Sequence, residues 1–213
     1  MEPRAEPMWP PVAAVLLLIV LNLVLSLALS VHRGGAPRWG IPAVEVLLLA
    51  ALIVRGRRHE TFRRAGIALV MLLVAAALYG TCILIDVLVT GGAATNSAGT
   101  LLAYGSFVWL ANNVAFALLY WEFDGGGPAA RLAHPTEFPD LAFPQQLSPE
   151  LARPGWRPIF WDYLYLGLTN SVAFSPTDVM PLARWAKLAM AVQALVSLAI
   201  IGLVIARAVN VFT

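Results

Sequence analysis

Long runs of uncharged, apolar residues constrain this chain more than any other feature of its sequence. Residues 7–31 carry no charge, and a second uncharged run covers residues 188–206. A transmembrane helix needs about 20 consecutive apolar residues, which the core of a soluble domain does not require. The chain is only 12% charged, whereas soluble domains carry about 25% charged residues. The sequence therefore predicts an all-α integral membrane protein that crosses the lipid bilayer several times.

Charges, prolines and turn-forming residues set the boundaries of five predicted long transmembrane helices. These helices are expected at residues 11–31, 41–54, 65–90, 100–121 and 182–210. The first four form a four-helix membrane region over residues 1–121. Residues 122–158 contain seven prolines and three consecutive glycines, which predict an aqueous linker in extended or turn conformation. Residues 159–213 combine a short aromatic segment with the last transmembrane helix.

The short aromatic segment lies between Asp162 and Asp178 and is too short to cross a bilayer as a straight helix. Its 15 residues from Tyr163 to Thr177 are uncharged. As a helix they span roughly 22 Å, against about 30 Å of hydrocarbon core. Three structures remain open for this segment: a re-entrant pore helix, an interfacial helix, or a tilted sixth crossing segment.

Polar side chains inside the predicted spans are candidate functional residues. Glu45 and Asp86 each lie about one turn from a helix end, at similar depth. An ionisable residue within a membrane span predicts a functional site. For these two carboxylates, pairing with a nearby arginine and the handling of protons or cations both remain open. The amides of Asn112, Asn113 and Gln193 need hydrogen-bond partners, which other helices or a wet cavity can supply.

The distribution of basic residues predicts which side of the membrane the loops occupy. Five arginines fall within residues 55–64, the densest charge cluster of the chain. The positive-inside rule places this short loop in the cytoplasm. Counting across the third and fourth predicted helices then places residues 122–158 in the cytoplasm as well. Under that topology, the segment at residues 159–177 is predicted to cross fully as a sixth helix.

The motifs of common enzyme and cofactor sites do not occur in the sequence. It has no glycine-rich phosphate loop, no His-Glu-x-x-His and no Gly-x-Ser-x-Gly. Its one cysteine, Cys82, excludes an intrachain disulfide. We therefore expect a protein without enzymatic activity, cofactor or bound metal. The net charge of +2, with the basic residues in loops, argues against nucleic acid as a partner.

The C-terminal third resembles the outer helix, pore helix, filter and inner helix of the potassium-channel pore domain. Leu168–Ser175 has the length of the family's pore-helix end and filter, and the run Pro181–Arg184 follows without a gap. The resemblance implies a pore-loop ion channel that assembles as a homo-oligomer and conducts monovalent cations. The residues that it places at or just after the constriction are Thr169, Asn170, Ser171, Val172, Ala173, Phe174, Ser175 and Asp178.

The filter positions depart from the potassium-channel pattern, because Val172 and Phe174 replace its two glycines. Glycine can take the positive φ angle that aims filter carbonyls at the ion, and β-branched or bulky residues resist that angle. One prediction is therefore cation permeation without potassium selectivity. A non-conducting membrane scaffold and a small proton-coupled transporter are the alternatives.

The whole chain also resembles an uncharacterised family of predicted bacterial multi-pass membrane proteins. The family's Trp-Asp-aromatic-Leu-Tyr segment corresponds to Trp161–Tyr165, which is followed by Thr169 and by Thr177-Asp178. This resemblance implies a protein of the bacterial inner (plasma) membrane, with no assigned activity.

Overall fold

Helix is the dominant secondary structure, as the apolar runs predict. A computed structural model describes residues 6–33, 40–54, 59–90, 97–133, 139–172 and 178–212. The α-helices of this part of the chain are α1 (Trp9–Arg33), α2 (Gly40–Val54), α3 (His59–Thr90), α4 (Ala98–Phe123), α5 (Pro128–Ala133), α6 (Pro144–Leu147), α7 (Phe160–Val172) and α8 (Arg184–Phe212). Two short strands, β1 (Leu141–Ala142) and β2 (Met180–Pro181), form an antiparallel pair.

Within the part of the chain that the structure describes, four helices are long and apolar enough to cross a membrane. Their candidate spans are Trp9–Leu27, Arg63–Thr90, Ala98–Gly126 and Arg184–Val209. They correspond to the first, third, fourth and fifth predicted long helices, which supports the prediction of an all-α membrane protein. Helix α2 differs, because its 15 residues extend only about 22 Å. The prediction of five long transmembrane helices is therefore not confirmed.

Helix α4 is the central helix of the bundle. It packs against α1, α3, α7 and α8, and every residue from 111 to 122 is buried. This second half of α4 is buried on all sides, and a helix of that kind carries apolar residues nearly all round. The first half of α4 exposes Leu102 and Phe107, and α8 likewise exposes large apolar side chains such as Leu188 and Leu195. Apolar exposure of this kind suits helices that face lipid.

Glycines allow α7 and α8 to approach α4 closely. A Cβ atom on Gly105 of α4 would lie 2.6 Å from the Val204 Cγ2 atom of α8. A Cβ atom on Gly167 of α7 would lie 3.1 Å from the backbone oxygen of Asn113 of α4. Small residues at helix contacts are a common basis of packing inside membranes, where apolar burial alone does not drive association.

The starts of α1 and α3 lie at the same end of the bundle as the end of α4. Arg63, near the start of α3, donates a hydrogen bond from Nε to the carbonyl oxygen of Gly126 at 3.1 Å. Glu6, just before α1, accepts a hydrogen bond from Trp121 Nε1 at 3.0 Å. We call this end the linker end, because residues 124–158 connect α4 to α7 there.

Helices α7 and α8 also begin at the linker end. The ring of Phe160, the first residue of α7, lies 6.2 Å from the Trp121 ring between centroids. The ring of Trp185, in the first turn of α8, lies 5.7 Å from the Phe123 ring. Strand β2, just before α8, pairs with β1 of the linker. The chain therefore starts both helices from one end of the bundle.

Helix α7 ends about halfway along α4. Ser171, in the last turn of α7, donates a hydrogen bond from Oγ to Asn113 Oδ1 at 3.0 Å. Asn113 precedes Phe123, the end of α4, by about 15 Å of helix. Asn170 likewise donates from Nδ2 to the Met190 carbonyl oxygen of α8 at 3.0 Å. Helix α7 is therefore a half-length helix inserted from the linker end between α4 and α8.

This placement differs from the full sixth crossing that the positive-inside rule predicts for residues 159–177. A crossing helix would start α8 at the opposite end of the bundle. The β1–β2 pair instead holds the start of α8 at the linker end, and the Leu182 amide donates to the Asp140 carbonyl oxygen of the linker at 2.9 Å. Residues 173–177 lie outside the described residues.

The described part of the linker, residues 124–133 and 139–158, forms a folded cap of short helices and turns, where the proline content predicts extended or turn conformation. It contains α5, β1, α6 and two 3₁₀ turns, at Asp124–Gly126 and Pro149–Leu151. Leu141 and Phe143 are buried, and the Phe143 ring packs edge-to-face on Tyr163 of α7, with 5.3 Å between centroids. The prolines and glycines do predict the turns, but aromatic packing on α7 holds the turns together.

Candidate functional site

Gln193 of α8 is the centre of a buried hydrogen-bonded cluster between α4, α7 and α8. Its Oε1 accepts hydrogen bonds from Tyr120 Oη at 2.7 Å and from Asn170 Nδ2 at 2.8 Å. Its Nε2 donates to the Gly167 carbonyl oxygen at 2.9 Å. Gln193 is 0% exposed. The membrane interior offers no water, so these hydrogen-bond partners on α4 and α7 offset the free-energy cost of burying the Gln193 amide.

A second contact ties the last turn of α7 to α4. Besides accepting from Ser171, Asn113 donates from Nδ2 to the carbonyl oxygen of Trp109 at 3.2 Å. Both ends of the Asn113 amide are therefore hydrogen-bonded, and both Asn113 and Ser171 are buried. We use the name α7 cluster for Asn113, Tyr120, Asn170, Ser171 and Gln193.

Four of the predicted filter residues lie in the last turn of α7. The Thr169 hydroxyl donates to the Tyr165 carbonyl oxygen at 3.0 Å, and Val172 is exposed. Asn170 and Ser171 belong to the α7 cluster. Asp178 is exposed just before β2. Ala173, Phe174 and Ser175 lie outside the described residues, so the constriction remains a prediction.

The two predicted intramembrane carboxylates have different surroundings. Glu45 is 0% exposed, and its Oε1 accepts a hydrogen bond from Asn22 Nδ2 of α1 at 2.8 Å. Its Oε2 has no hydrogen-bond partner among the residues that the structure describes. Asp86 is exposed near the end of α3. The predicted arginine partners of Glu45 have side chains outside the described residues, so the α1 amide is the partner that the structure shows.

The adjacent amides Asn112 and Asn113 of α4 form hydrogen bonds with different helices. Asn112 donates from Nδ2 to Thr81 Oγ1 of α3 at 2.8 Å and to the Val108 carbonyl oxygen at 3.0 Å. Asn113 accepts from α7, as described above. Of the two roles left open for these amides, interhelical hydrogen bonding is the one that the described contacts show.

A second buried cluster, which the sequence did not reveal, joins the linker to α7. Asp124 is 2% exposed, and its Oδ2 accepts a hydrogen bond from Tyr163 Oη at 2.6 Å. Its Oδ1 accepts from the Leu141 amide at 3.1 Å. The Arg131 guanidinium lies 5.0 Å from the centroid of the Tyr163 ring, within the range of a cation–π contact. Arg131 Nη1 also donates to the Trp121 carbonyl oxygen at 2.7 Å.

No local pattern marks this second cluster, because its members are far apart in sequence. Asp124 and Tyr163 are separated by 39 positions. The one available signal is the three glycines after Asp124, whose φ angles are 56°, 78° and 96°. Other residues rarely adopt this left-handed backbone. The glycines turn the chain back over the bundle and so bring Leu141 to the Asp124 carboxylate.

Replacing Gln193 with leucine is expected to destabilise the contact between α7 and its neighbours. The substitution leaves Tyr120 Oη, Asn170 Nδ2 and the Gly167 carbonyl oxygen without their common partner. Each buried polar group left unsatisfied costs about 1–3 kcal/mol. The melting temperature of the purified protein in detergent is the measurement.

Ser197→Ala is the matched control for that substitution. Ser197 is also buried on α8, one turn beyond Gln193, but its Oγ has no hydrogen-bond partner among the described residues. The alanine variant should therefore melt like the unmodified protein. Equal melting temperatures for Gln193→Leu and Ser197→Ala would contradict a stabilising role for the α7 cluster.

Among the described residues, no group of three or more histidine, cysteine, aspartate or glutamate side chains is arranged to hold a metal ion. Comparison of the chain with protein-family models, with curated proteins and with solved structures found no significant match.

Proposed function

We propose that this protein is a pore-loop-type membrane protein in which α7 re-enters the bilayer and cations pass its inner end. One observation carries the proposal. Helix α7 starts at the linker end and ends beside Asn113, halfway along α4, while β2 lies at the linker end again. A half-length helix between two long ones, with both flanks on one side, is the arrangement of a re-entrant pore helix.

The aromatic residues support the membrane depth that this proposal requires. Tryptophan is enriched where the membrane meets water. Five of the seven tryptophans lie at the linker end: Trp9, Trp121, Trp156, Trp161 and Trp185. With this belt at the interface, the last turn of α7 lies about 15 Å deeper, near the middle of a core about 30 Å thick.

The direction of α7 favours a cation at that depth. The C-terminal end of a helix carries about half a negative elementary charge, from carbonyl groups without partners in the helix. In transporters and channels such helix ends coordinate or stabilise cations inside the membrane. A single half-helix cannot surround an ion, so the proposal includes a homo-oligomer. Val172 at the inner end argues against potassium selectivity, as the sequence predicts.

The potassium-channel resemblance implies that the linker and the start of the last helix lie outside the cell, and the orientation proposed here is the opposite. Arg63 contacts Gly126, so the arginines at the start of α3 and the linker share one end of the bundle. The positive-inside rule places both in the cytoplasm. Helix α7 then re-enters from the cytoplasmic side, and the arginine distribution no longer requires a sixth crossing.

Single cysteines in a Cys82→Ala background test this orientation. Arg64→Cys and Ala129→Cys place exposed thiols at the linker end, and Thr90→Cys places one at the opposite end. In intact cells, an impermeant maleimide is expected to label position 90 and to leave positions 64 and 129 unlabelled until the cells are opened. Labelling of positions 64 and 129 from outside would reverse the proposed topology.

Flux into liposomes tests the proposed permeation, with potassium, sodium and proton readouts. The reconstituted protein is expected to pass potassium and sodium at comparable rates. A Val172→Lys substitution puts a positive charge at the inner end of α7 and should abolish that flux. Val89→Lys is the matched control, because Val89 is also exposed but lies at the end of α3. Absence of flux from unmodified, correctly folded protein would reject the proposal.

A non-conducting scaffold is the second candidate, and the α7 cluster is the observation that favours it. The polar side chains at the inner end of α7 are bound to each other within one chain, which leaves few polar groups to replace the hydration of an ion. If the protein derives from a channel and no longer conducts, we expect no flux from the unmodified protein. We then expect a gain of flux when glycine is restored at positions 172 and 174.

A further inference from the structure

We infer that the cap contains a binding site for the headgroup of an aminophospholipid, which carries a phosphate and a primary ammonium. A cavity of about 260 Å³ opens at the linker end between the cap, the start of α7 and the residues before α1. Its polar wall is formed by Glu6, Asp124, Arg131, Gln146 and Arg157, beside the Trp156 ring. This volume is below the roughly 300–1,000 Å³ of sites for drug-sized molecules, so it suits a headgroup and not a whole lipid.

The charges of this cavity call for a ligand that carries both signs. Two arginines and two carboxylates line the cavity, yet within the described chain Arg131 and Arg157 form no ion pair with Glu6 or Asp124. Opposite charges that share a cavity without forming an ion pair can each bind one end of a zwitterion. A purely anionic ligand would lie beside two carboxylates of the same charge, and a purely cationic ligand would lie beside two arginines.

The arginine side of the cavity has unused hydrogen-bonding capacity for a phosphate. Arg131 uses Nη1 for backbone carbonyl oxygens, but its buried Nη2 has no hydrogen-bond partner among the described residues. Arg157 is exposed and donates from Nη1 to the Leu132 carbonyl oxygen at 3.1 Å, which fixes its guanidinium at the cavity wall. Two guanidinium groups held in this way suit phosphate oxygens, which accept charge-assisted hydrogen bonds.

The carboxylate side retains acceptor capacity for an ammonium group. Glu6 Oε1 accepts from the Phe160 amide at 2.6 Å and from Trp121 Nε1 at 3.0 Å. Among the described residues, its Oε2 accepts only the second, longer contact from the same indole at 3.1 Å. A carboxylate has about four acceptor positions, so Oε2 can accept a further hydrogen bond from the N–H groups of a primary ammonium.

The surroundings of the cavity favour a lipid over a soluble solute. The tryptophan belt places the cavity at the depth of the lipid headgroups. From Ile159, which lines the cavity, an exposed apolar stripe continues along α7 through Trp161, Tyr165 and Leu168. These residues follow helical spacing on one face, and the stripe leads from the headgroup level into the hydrocarbon region. Acyl chains can lie along this stripe while the headgroup occupies the cavity.

Lipid retention by the full-length protein tests this site. Protein in detergent is mixed with phosphatidylethanolamine, phosphatidylcholine or phosphatidylglycerol, and bound lipid is counted by native mass spectrometry. Phosphatidylethanolamine is expected to be retained best, because phosphatidylcholine has no ammonium N–H and phosphatidylglycerol has no cation. Arg157→Gln and Glu6→Gln should each weaken retention about tenfold, the effect of one charge-assisted contact. Glutamine at position 6 keeps a carbonyl acceptor for Trp121 and so preserves the fold.

Arg153→Gln and Glu150→Gln are the matched controls, since both residues are exposed in the cap and do not line the cavity. They should retain phosphatidylethanolamine like the unmodified protein. Soluble phosphoethanolamine has the same headgroup chemistry without acyl chains. If it raises the melting temperature and phosphatidylethanolamine is not retained, the site binds a soluble molecule and not a lipid. Equal retention of all three lipids, or equal losses in cavity and control variants, would overturn the site. Preferred retention of phosphatidylglycerol that Glu6→Gln does not reduce would also overturn it.

Discussion

Replacing Asp124 with alanine is expected to lower the melting temperature of the protein in detergent by roughly 10 °C. The substitution removes the acceptor of the Tyr163 hydroxyl and of the Leu141 amide, both buried, and leaves Arg131 beside an apolar methyl group. Each of these two buried donors left without an acceptor costs about 1–3 kcal/mol, so the expected loss in the free energy of unfolding is about 4 kcal/mol. A chain of this length loses about 2–4 °C for each kcal/mol.

The neighbouring Asp140 provides the control for this prediction. Its Oδ2 accepts a hydrogen bond from the Gly125 amide at 3.0 Å, but the residue is only partly buried. Asp140→Ala should therefore cost about 1 kcal/mol, the contribution of one ordinary hydrogen bond. Tyr163→Phe removes only the hydroxyl and should lie between the two. An Asp124→Ala variant as stable as Asp140→Ala would show that the cap does not depend on the buried carboxylate.

The long helices could be predicted from the sequence because membrane spans are encoded locally. Uninterrupted apolar runs mark each span, and charges or turn residues mark its ends. The predicted range of residues 100–121 corresponds to helix α4 at Ala98–Phe123. Helix α3 starts six residues before its predicted start at residue 65, because Arg63 and Arg64 continue the helix beyond the apolar run. Basic side chains end a span, but they are good helix formers.

The start of α8 shows where local patterns stop being sufficient. The prediction begins this helix at Leu182, whereas the structure begins it at Arg184. The amides of Leu182 and Ala183 both donate to the Asp140 carbonyl oxygen, at 2.9 Å and 3.2 Å. A contact across about forty residues of chain determines this boundary, and no periodicity within α8 indicates it.

Four of the five residues of the α7 cluster could be predicted from the sequence, but their arrangement could not. Asn113 and Gln193 are conspicuous because amides are costly within lipid, and the structure brings both to the end of α7. Tyr120 belongs to the same cluster but resembles an ordinary interfacial aromatic in the sequence. The position of the start of α8 could not be predicted from the sequence, because it depends on the pairing of β2 with β1 of the linker.

Replacing Gly167 with leucine is expected to displace α7 from α4. A Cβ atom at this position would lie 3.1 Å from the Asn113 backbone oxygen and 3.6 Å from the Ala117 Cβ atom. The backbone oxygen belongs to the central helix and cannot move aside without moving α4. Overpacking a tight contact costs about 1–3 kcal/mol and occasionally more. Displacement would also break the hydrogen bonds from Ser171 to Asn113 and from Gln193 to Gly167. The total loss in the free energy of unfolding should therefore exceed the loss from overpacking or from the broken hydrogen bonds alone.

Gly202→Leu distinguishes this steric effect from the general effect of adding leucine to a membrane helix. Gly202 lies on α8 with no atom within 4 Å of an added Cβ, so leucine there should be neutral or slightly stabilising. A Ser171→Cys thiol in the Cys82→Ala background reports on α7 directly, because Ser171 is 0% exposed. Maleimide should modify this thiol slowly in the parent background and with Gly202→Leu, and rapidly with Gly167→Leu. Equal reactivity in all three would show that α7 does not depend on the close approach at Gly167.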